Sequence, residues 1–139
     1  MILLDTSGLL AALIPDQRHH EACATVLRNA RGPFVLSPFV LAEIDYLLSK
    51  LSGVDAAAAL LDEVARGAYL LAEFSTTDIR QAREVIVAHK DLGLGLADAS
   101  IAVLAKRLRT TEILTLDHRH FGALPGPRGK GFRLLPRDA

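Results

Sequence analysis

Four carboxylates in this chain stand where an acid packs awkwardly and where it could do chemistry. Asp5 follows the apolar run Ile2-Leu3-Leu4 and precedes Thr6-Ser7-Gly8. Glu43 is set in the stretch Phe39-Val40-Leu41-Ala42-Glu43-Ile44. Asp98 has small or apolar neighbours almost throughout from Leu94 to Val103. Asp117 ends the run Ile113-Leu114-Thr115-Leu116. A carboxylate buried without a partner is costly to desolvate. No base lies within a helical turn of Glu43 or Asp98, and the next ones along the chain are Lys50 and Lys106. If the four acids meet, their repulsion raises some of their pKa values unless a cation is present. Mg²⁺ or Mn²⁺ resolves that conflict, because both take oxygen ligands and keep waters that a substrate phosphate can displace. Taken singly, each acid also has an ordinary reading. Asp5 and Asp117 suit helix caps, Glu43 suits a polar helix face, and Asp98 suits the positive end of a helix dipole.

The elements that must position these acids are readable from punctuation and period. Ile2–Leu4 reads as a buried strand, and Leu9–Ile14 as the first turns of a helix capped by Thr6 or Ser7. Asp16 is placed to cap a second helix toward Asn29, in which Cys23 belongs to the core, while His19 and His20 read as exposed. Phe34–Leu36 is a strand, and Ser37-Pro38 starts the helix that carries Glu43, with a cap followed by proline at the first helical position. Asp55–Arg66 and Thr76–His89 are further helices, with a short strand expected at Tyr69–Leu71 between them. Leu96–Leu108 is an apolar helix closed by Lys106, Arg107 and Arg109. Glu112–Thr115 is a strand, a turn or short helix begins at Leu116, and Phe132–Leu135 suits an edge strand. Short apolar strands alternating with helices predict an α/β fold whose central, mostly parallel sheet is covered on both faces.

The chain has 139 residues, half of them apolar, which fits one domain over residues 1–139 with a substantial core. Cys23 is the only cysteine, so no internal disulfide and no cysteine-rich zinc site can form. No basic leader and no spanning apolar run is present, and a cytoplasmic protein without a membrane role is expected. The formal net charge is zero, yet residues 105–139 hold eight bases against three acids. That rim reads either as a solvated surface or as a face for phosphates.

The four acid-bearing stretches together resemble the PIN-domain ribonucleases, in particular the VapC-type toxins of bacterial toxin–antitoxin pairs. Ile2-Leu3-Leu4-Asp5-Thr6-Ser7, Ser37-Pro38-Phe39-Val40-Leu41-Ala42-Glu43, Leu94-Gly95-Leu96-Ala97-Asp98-Ala99 and Thr115-Leu116-Asp117-His118-Arg119-His120-Phe121 are similar to the family's successive motifs. The resemblance implies a PIN-like α/β/α sandwich and an endoribonuclease that uses Mg²⁺ or Mn²⁺. It implies an RNA substrate, a cognate antitoxin and a homodimer. Asp5, Glu43, Asp98 and Asp117 are then the metal-holding, catalytic acids. Thr6, Ser7 and Thr115 correspond to hydroxyls that orient them. His120 suits packing or hydrogen bonding better than catalysis, and Asp91 is a weaker candidate beside Asp98. Two readings from other classes compete: a phospho-receiver signalling domain, which also gathers acids around Mg²⁺, and a PIN-like scaffold that only binds.

Overall fold

The computed structural model describes residues 1–139. Strands β1 (Ile2–Leu4), β2 (Phe34–Leu36), β3 (Leu70–Leu71), β4 (Glu112–Leu114) and β5 (Arg133–Leu135) form one sheet in the order β3-β2-β1-β4-β5. Every neighbouring pair is parallel, so the sheet is wholly rather than mostly parallel. Ile2 faces Phe34, Leu4 faces Leu114, and Leu114 faces Leu135 in register. Successive strand residues point to opposite faces. Ile2, Leu3 and Leu4 are nonetheless all buried, so helices cover both faces.

Those helices are α1 (Thr6–Leu13), α2 (His20–Asn29), α3 (Pro38–Ser52), α4 (Val54–Ala65), α5 (Thr76–Ala88), α6 (Leu96–Leu108) and α7 (His118–Ala123). Ser37 caps α3, its hydroxyl accepting from the Phe39 N–H, with Pro38 next. Ser75 and Asp78 cap α5 reciprocally. Two helix starts differ from expectation. Helix α1 begins at Thr6, so Asp5 rather than Thr6 or Ser7 holds the cap position, and its side chain makes no cap bond. Helix α2 begins at His20, not after Asp16. Two tight turns occupy the intervening residues, with Gln17 N–H bonded to Ile14 and His20 N–H to Gln17. The His20 ring lies half-buried with Nδ1 2.9 Å from the Ala11 carbonyl, so His20 is a tether and not an exposed side chain. His19 is exposed, and Cys23 lies in the core.

The strand order reverses at β1. The chain builds outward through β2 to β3, then returns to add β4 and β5 on the other side. In open parallel sheets the crevice beside such a reversal, at the carboxyl ends of the strands, is the place that receives ligands. Gly8 makes that crevice tight. A Cβ there would lie 2.5 Å from the Leu114 carbonyl oxygen, so only glycine lets α1 approach the end of β4. No helix is long and apolar enough to cross a membrane.

Candidate active site

Asp5 extends the carboxyl end of β1, its N–H bonded to the Leu114 carbonyl at 3.0 Å. Its carboxylate Oδ2 accepts from the hydroxyls of Ser7 and Thr115, each at 2.7 Å. Ser7 in turn accepts from the Leu116 N–H at 3.0 Å, and Thr115 from the Asp117 N–H at 2.9 Å. The two hydroxyls thus bind the first strand-to-helix junction to the fourth. Neither reaches Oδ1, which has no side-chain donor. Burial raises the pKa of Asp5; the Ser7 and Thr115 hydroxyls oppose that, and the nearby charge of Asp98 adds to it.

Asp98 sits in the first turn of α6, and Asp117 caps α7 by accepting from the His120 N–H at 3.0 Å. His120 Nδ1 lies 3.2 Å from Asp98 Oδ2 and 2.8 Å from Asp117 Oδ2. The distances are those of ion-pair contacts, but neither is aligned as a hydrogen bond. His120 thus stands between two acids that would otherwise repel. Burial is again the main cause raising the pKa of Asp98; His120 and the Gly95 N–H counter it, while Asp117 and Glu43 push it further up. Glu43 and Leu47 bring helix α3 to the same site.

Asp5, Glu43, Asp98 and Asp117 line one open cleft of about 400 Å³, together with Thr6, Ser7, Leu10 and Leu47. The acids are graded. Asp5 is buried, the side chains of Asp98 and Asp117 are 22% and 31% exposed, and Glu43 is exposed on the rim. Desolvation therefore argues for Asp5 and Asp98, but not for Glu43, whose apolar sequence neighbours Val40 and Ile44 turn into the core instead. Asp91 stays outside. It is exposed on the short 3-10 turn Lys90–Leu92, and only its carbonyl is engaged, by Arg119 at 3.4 Å. Gly93 and Gly95 carry the chain onward from that turn before α6 begins.

One contact escaped the sequence reading. The buried Ser37 and Ser100 hydroxyls lie 2.7 Å apart. Ser100 donates to the Ala97 carbonyl at 2.6 Å while Ser37 accepts from the Phe39 N–H, so Ser37 is left as donor to Ser100. This relay joins the start of the Glu43 helix to the Asp98 turn. Ser37 was legible as a cap, but Ser100 looked like one more small residue in a helix.

The donor set suits a hard cation. The cleft offers carboxylate oxygens with no lysine or arginine among its lining residues. Ligand atoms of Asp98, Asp117 and His120 lie within 4.8 Å of one another. Thr6 Oγ1 is buried at the same cleft without any partner. A buried hydroxyl left unpaired is unfavourable, and water or an ion in the cleft would satisfy it.

A parallel sheet with its reversal at β1, and an acid-lined cleft over that reversal, define a PIN-type nuclease fold. The chain belongs to the PIN-domain family, whose profile matches residues 2–126. Among individual proteins, it is 42% identical over 135 residues to Ribonuclease VapC26 of Mycobacterium tuberculosis, covering 97% of this chain and all of that one. The fold is similar to the crystal structure of VapC20 from the same species, described as a sarcin-ricin loop cleaving toxin. The TM-score is 0.82 at 20% identity, over 88% of this chain and 95% of that one. VapBC2 of Rickettsia felis, crystallised on a DNA fragment from its promoter, matches with a TM-score of 0.65 at 22% identity, over 91% and 96% of the chains. The phospho-receiver alternative falls here. Receivers order their strands 2-1-3-4-5, whereas this sheet runs 3-2-1-4-5.

Proposed function

We propose that this protein is a divalent-metal-dependent endoribonuclease toxin of the cytoplasm. Its substrate is structured cellular RNA, tRNA or ribosomal RNA, and a cognate antitoxin restrains it. The observation that carries this reading is the single cleft lined by Asp5, Glu43, Asp98 and Asp117. Held by these acids, Mg²⁺ or Mn²⁺ supplies Lewis acidity toward the phosphate and lowers the pKa of water. The chain's own groups set the geometry. Ser7 and Thr115 fix Asp5 through one oxygen and leave the other without a side-chain donor. His120 holds Asp98 and Asp117 together. Water attacking in line with the departing 3′ oxygen leaves 5′-phosphate and 3′-hydroxyl ends.

The ribonuclease reading is supported by the likeness to VapC26, and the choice of structured RNA by what VapC20 cleaves. The antitoxin reading is supported by the VapBC2 pair. A homodimer belongs to the same reading through the family resemblance. Intact acids favour a working nuclease over a scaffold that only binds.

The test is end-mapping of cellular RNA after induced expression, beside purified protein with and without chelator. Asp5→Asn and Asp98→Asn keep shape and lose charge. Each should reduce cleavage on the order of 100-fold or more, since Lewis-acid stabilisation amounts to several kcal/mol. Circular dichroism should remain that of the parent. Products with 2′,3′-cyclic ends, or full activity in excess chelator, would refute the mechanism.

A further inference from the structure

The basic residues of the last third of the chain are not equivalent. Arg107 is paired with Asp78, Arg133 with Glu112 and Arg137 with Asp138, and Arg119 is engaged by the Asp91 carbonyl. Lys106 and Arg128 are exposed, and neither is ion-paired or hydrogen-bonded through its side chain. Both line a recess of about 340 Å³ between α5, α6 and the loop after α7, with half-buried His89 on its third side. Val85, Ala102 and Leu124 contribute its apolar wall. Glu84 lines the adjoining recess and is paired with none of the three bases. Arg128 is presented by a closed loop in which Gly126 N–H bonds Lys130 at 2.7 Å and Lys130 N–H bonds Pro127 at 3.2 Å. Its backbone is left-handed, at φ 57°.

The recess stands in a fixed relation to the cleft. Asp98, Ala102 and Lys106 follow one another at four-residue spacing down α6, and such residues share a helix face. Eight residues of helix put Lys106 about 12 Å along the axis from Asp98. Arg119 links the stretches of chain that flank the two. It follows Asp117 by two residues, and its guanidinium reaches the turn that begins one residue after His89. A strand of RNA with one phosphate at the acids and running along α6 therefore meets Lys106, with Arg128 across the recess, and neither is paired with an acid.

We infer that the Lys106–Arg128–His89 recess is a second RNA-binding subsite, which takes a backbone phosphate of an unpaired nucleotide a few positions from the bond cut at Asp5. Its cations hold the phosphate, and its apolar wall receives the attached sugar or base. This rests on the nuclease reading of the acidic cleft, and the test separates the two.

The probe is a fluorescein-labelled oligouridine of about ten nucleotides, within the range of single-strand binding sites. Binding is followed by anisotropy in Mg²⁺, with every protein carrying Asp5→Asn so that the probe stays whole. Lys106→Ala with Arg128→Ala should weaken binding about 10- to 100-fold, the loss expected for charge-assisted contacts. The dependence of log K on log salt should fall by about 0.7 for each phosphate that the protein ceases to neutralise. Arg18→Ala with Arg31→Ala removes the same charge from exposed positions that touch neither recess, and should leave both quantities unchanged. Equal affinity and salt slope in the two double variants would overturn the subsite and leave the acidic cleft as it stands. Cleavage of the probe by the Asp5→Asn protein would instead overturn the reading of the cleft.

Discussion

Asp5 is held by contacts that fix its position without relieving its charge. Burial raises its pKa above the ordinary value of 3.8, and the two hydroxyls offset only part of the shift. An acid with a raised folded-state pKa costs the fold nothing while both states are protonated. The cost grows as pH climbs from the unfolded pKa through the folded one, and is complete above it. Asp5→Asn should therefore raise the melting temperature of chelator-treated protein at neutral pH by a few degrees, the shift that about 1 kcal/mol produces. Mg²⁺ should raise the melting temperature of the parent and do less for the variant, because an ion stabilises only the state that binds it. Thermal scans with and without Mg²⁺ check both. A variant that melts below the parent in chelator would show that the charge on Asp5 is not the burden described.

At the scale of elements, α1 and α6 matter most, because each delivers an acid from its first turn or the residue before it. Helix α1 depends on Gly8. Gly8→Ala forces a methyl against the Leu114 carbonyl, and overpacking of this kind costs about 1–3 kcal/mol. A lowered urea midpoint should come with reduced cleavage, since the displaced helix also carries Ser7. A stable, fully active Gly8→Ala protein would contradict the close approach. Helix α6 is tied to α5 by Arg107, whose guanidinium reaches Asp78 at 2.6 Å and the Glu73 carbonyl at 2.6 Å. The Ser75 N–H and hydroxyl, with Arg107, hold the Asp78 pKa below its ordinary value. A lowered folded-state pKa gives stability that is present above the unfolded pKa and is lost as pH falls through the folded one. Denaturation across the acid range should show that loss in the parent and a shallower one in Asp78→Asn. Parallel curves would place the acid sensitivity elsewhere.

Element starts were legible where the signal was local. Ser37-Pro38 and Ser75 with Asp78 announce their helices through side chains that bond the nearest backbone. The start of α2 was not legible. Asp16 looks like a cap, but turns at Pro15–His19 and the His20 tether to Ala11 set the boundary, and the tether depends on helix packing. The same distinction holds for the acids. Asp5 and Asp98 could be marked from their neighbours, and the structure sets both in the cleft. Asp91, the weaker candidate in sequence, lies on a turn that faces solvent. The Ser37–Ser100 contact spans 63 positions, and nothing local announces it.

On the scale of the whole molecule, chemistry is concentrated where the sheet reverses. Strands of two or three residues give little surface of their own. Their worth lies in setting the ends of β1 and β4 side by side, with α3 and α6 closing the other walls of the cleft. A family profile covering residues 2–126 leaves out β5, the edge strand that finishes the sheet beyond β4.

The bond from Thr115 to Asp5 joins residues 110 positions apart. A growing polypeptide therefore carries its first acid from the outset but lacks the hydroxyl that steadies it until most of the chain has been synthesised. The acidic cleft is thus one of the last features the chain can complete, since it needs the fourth strand laid beside the first.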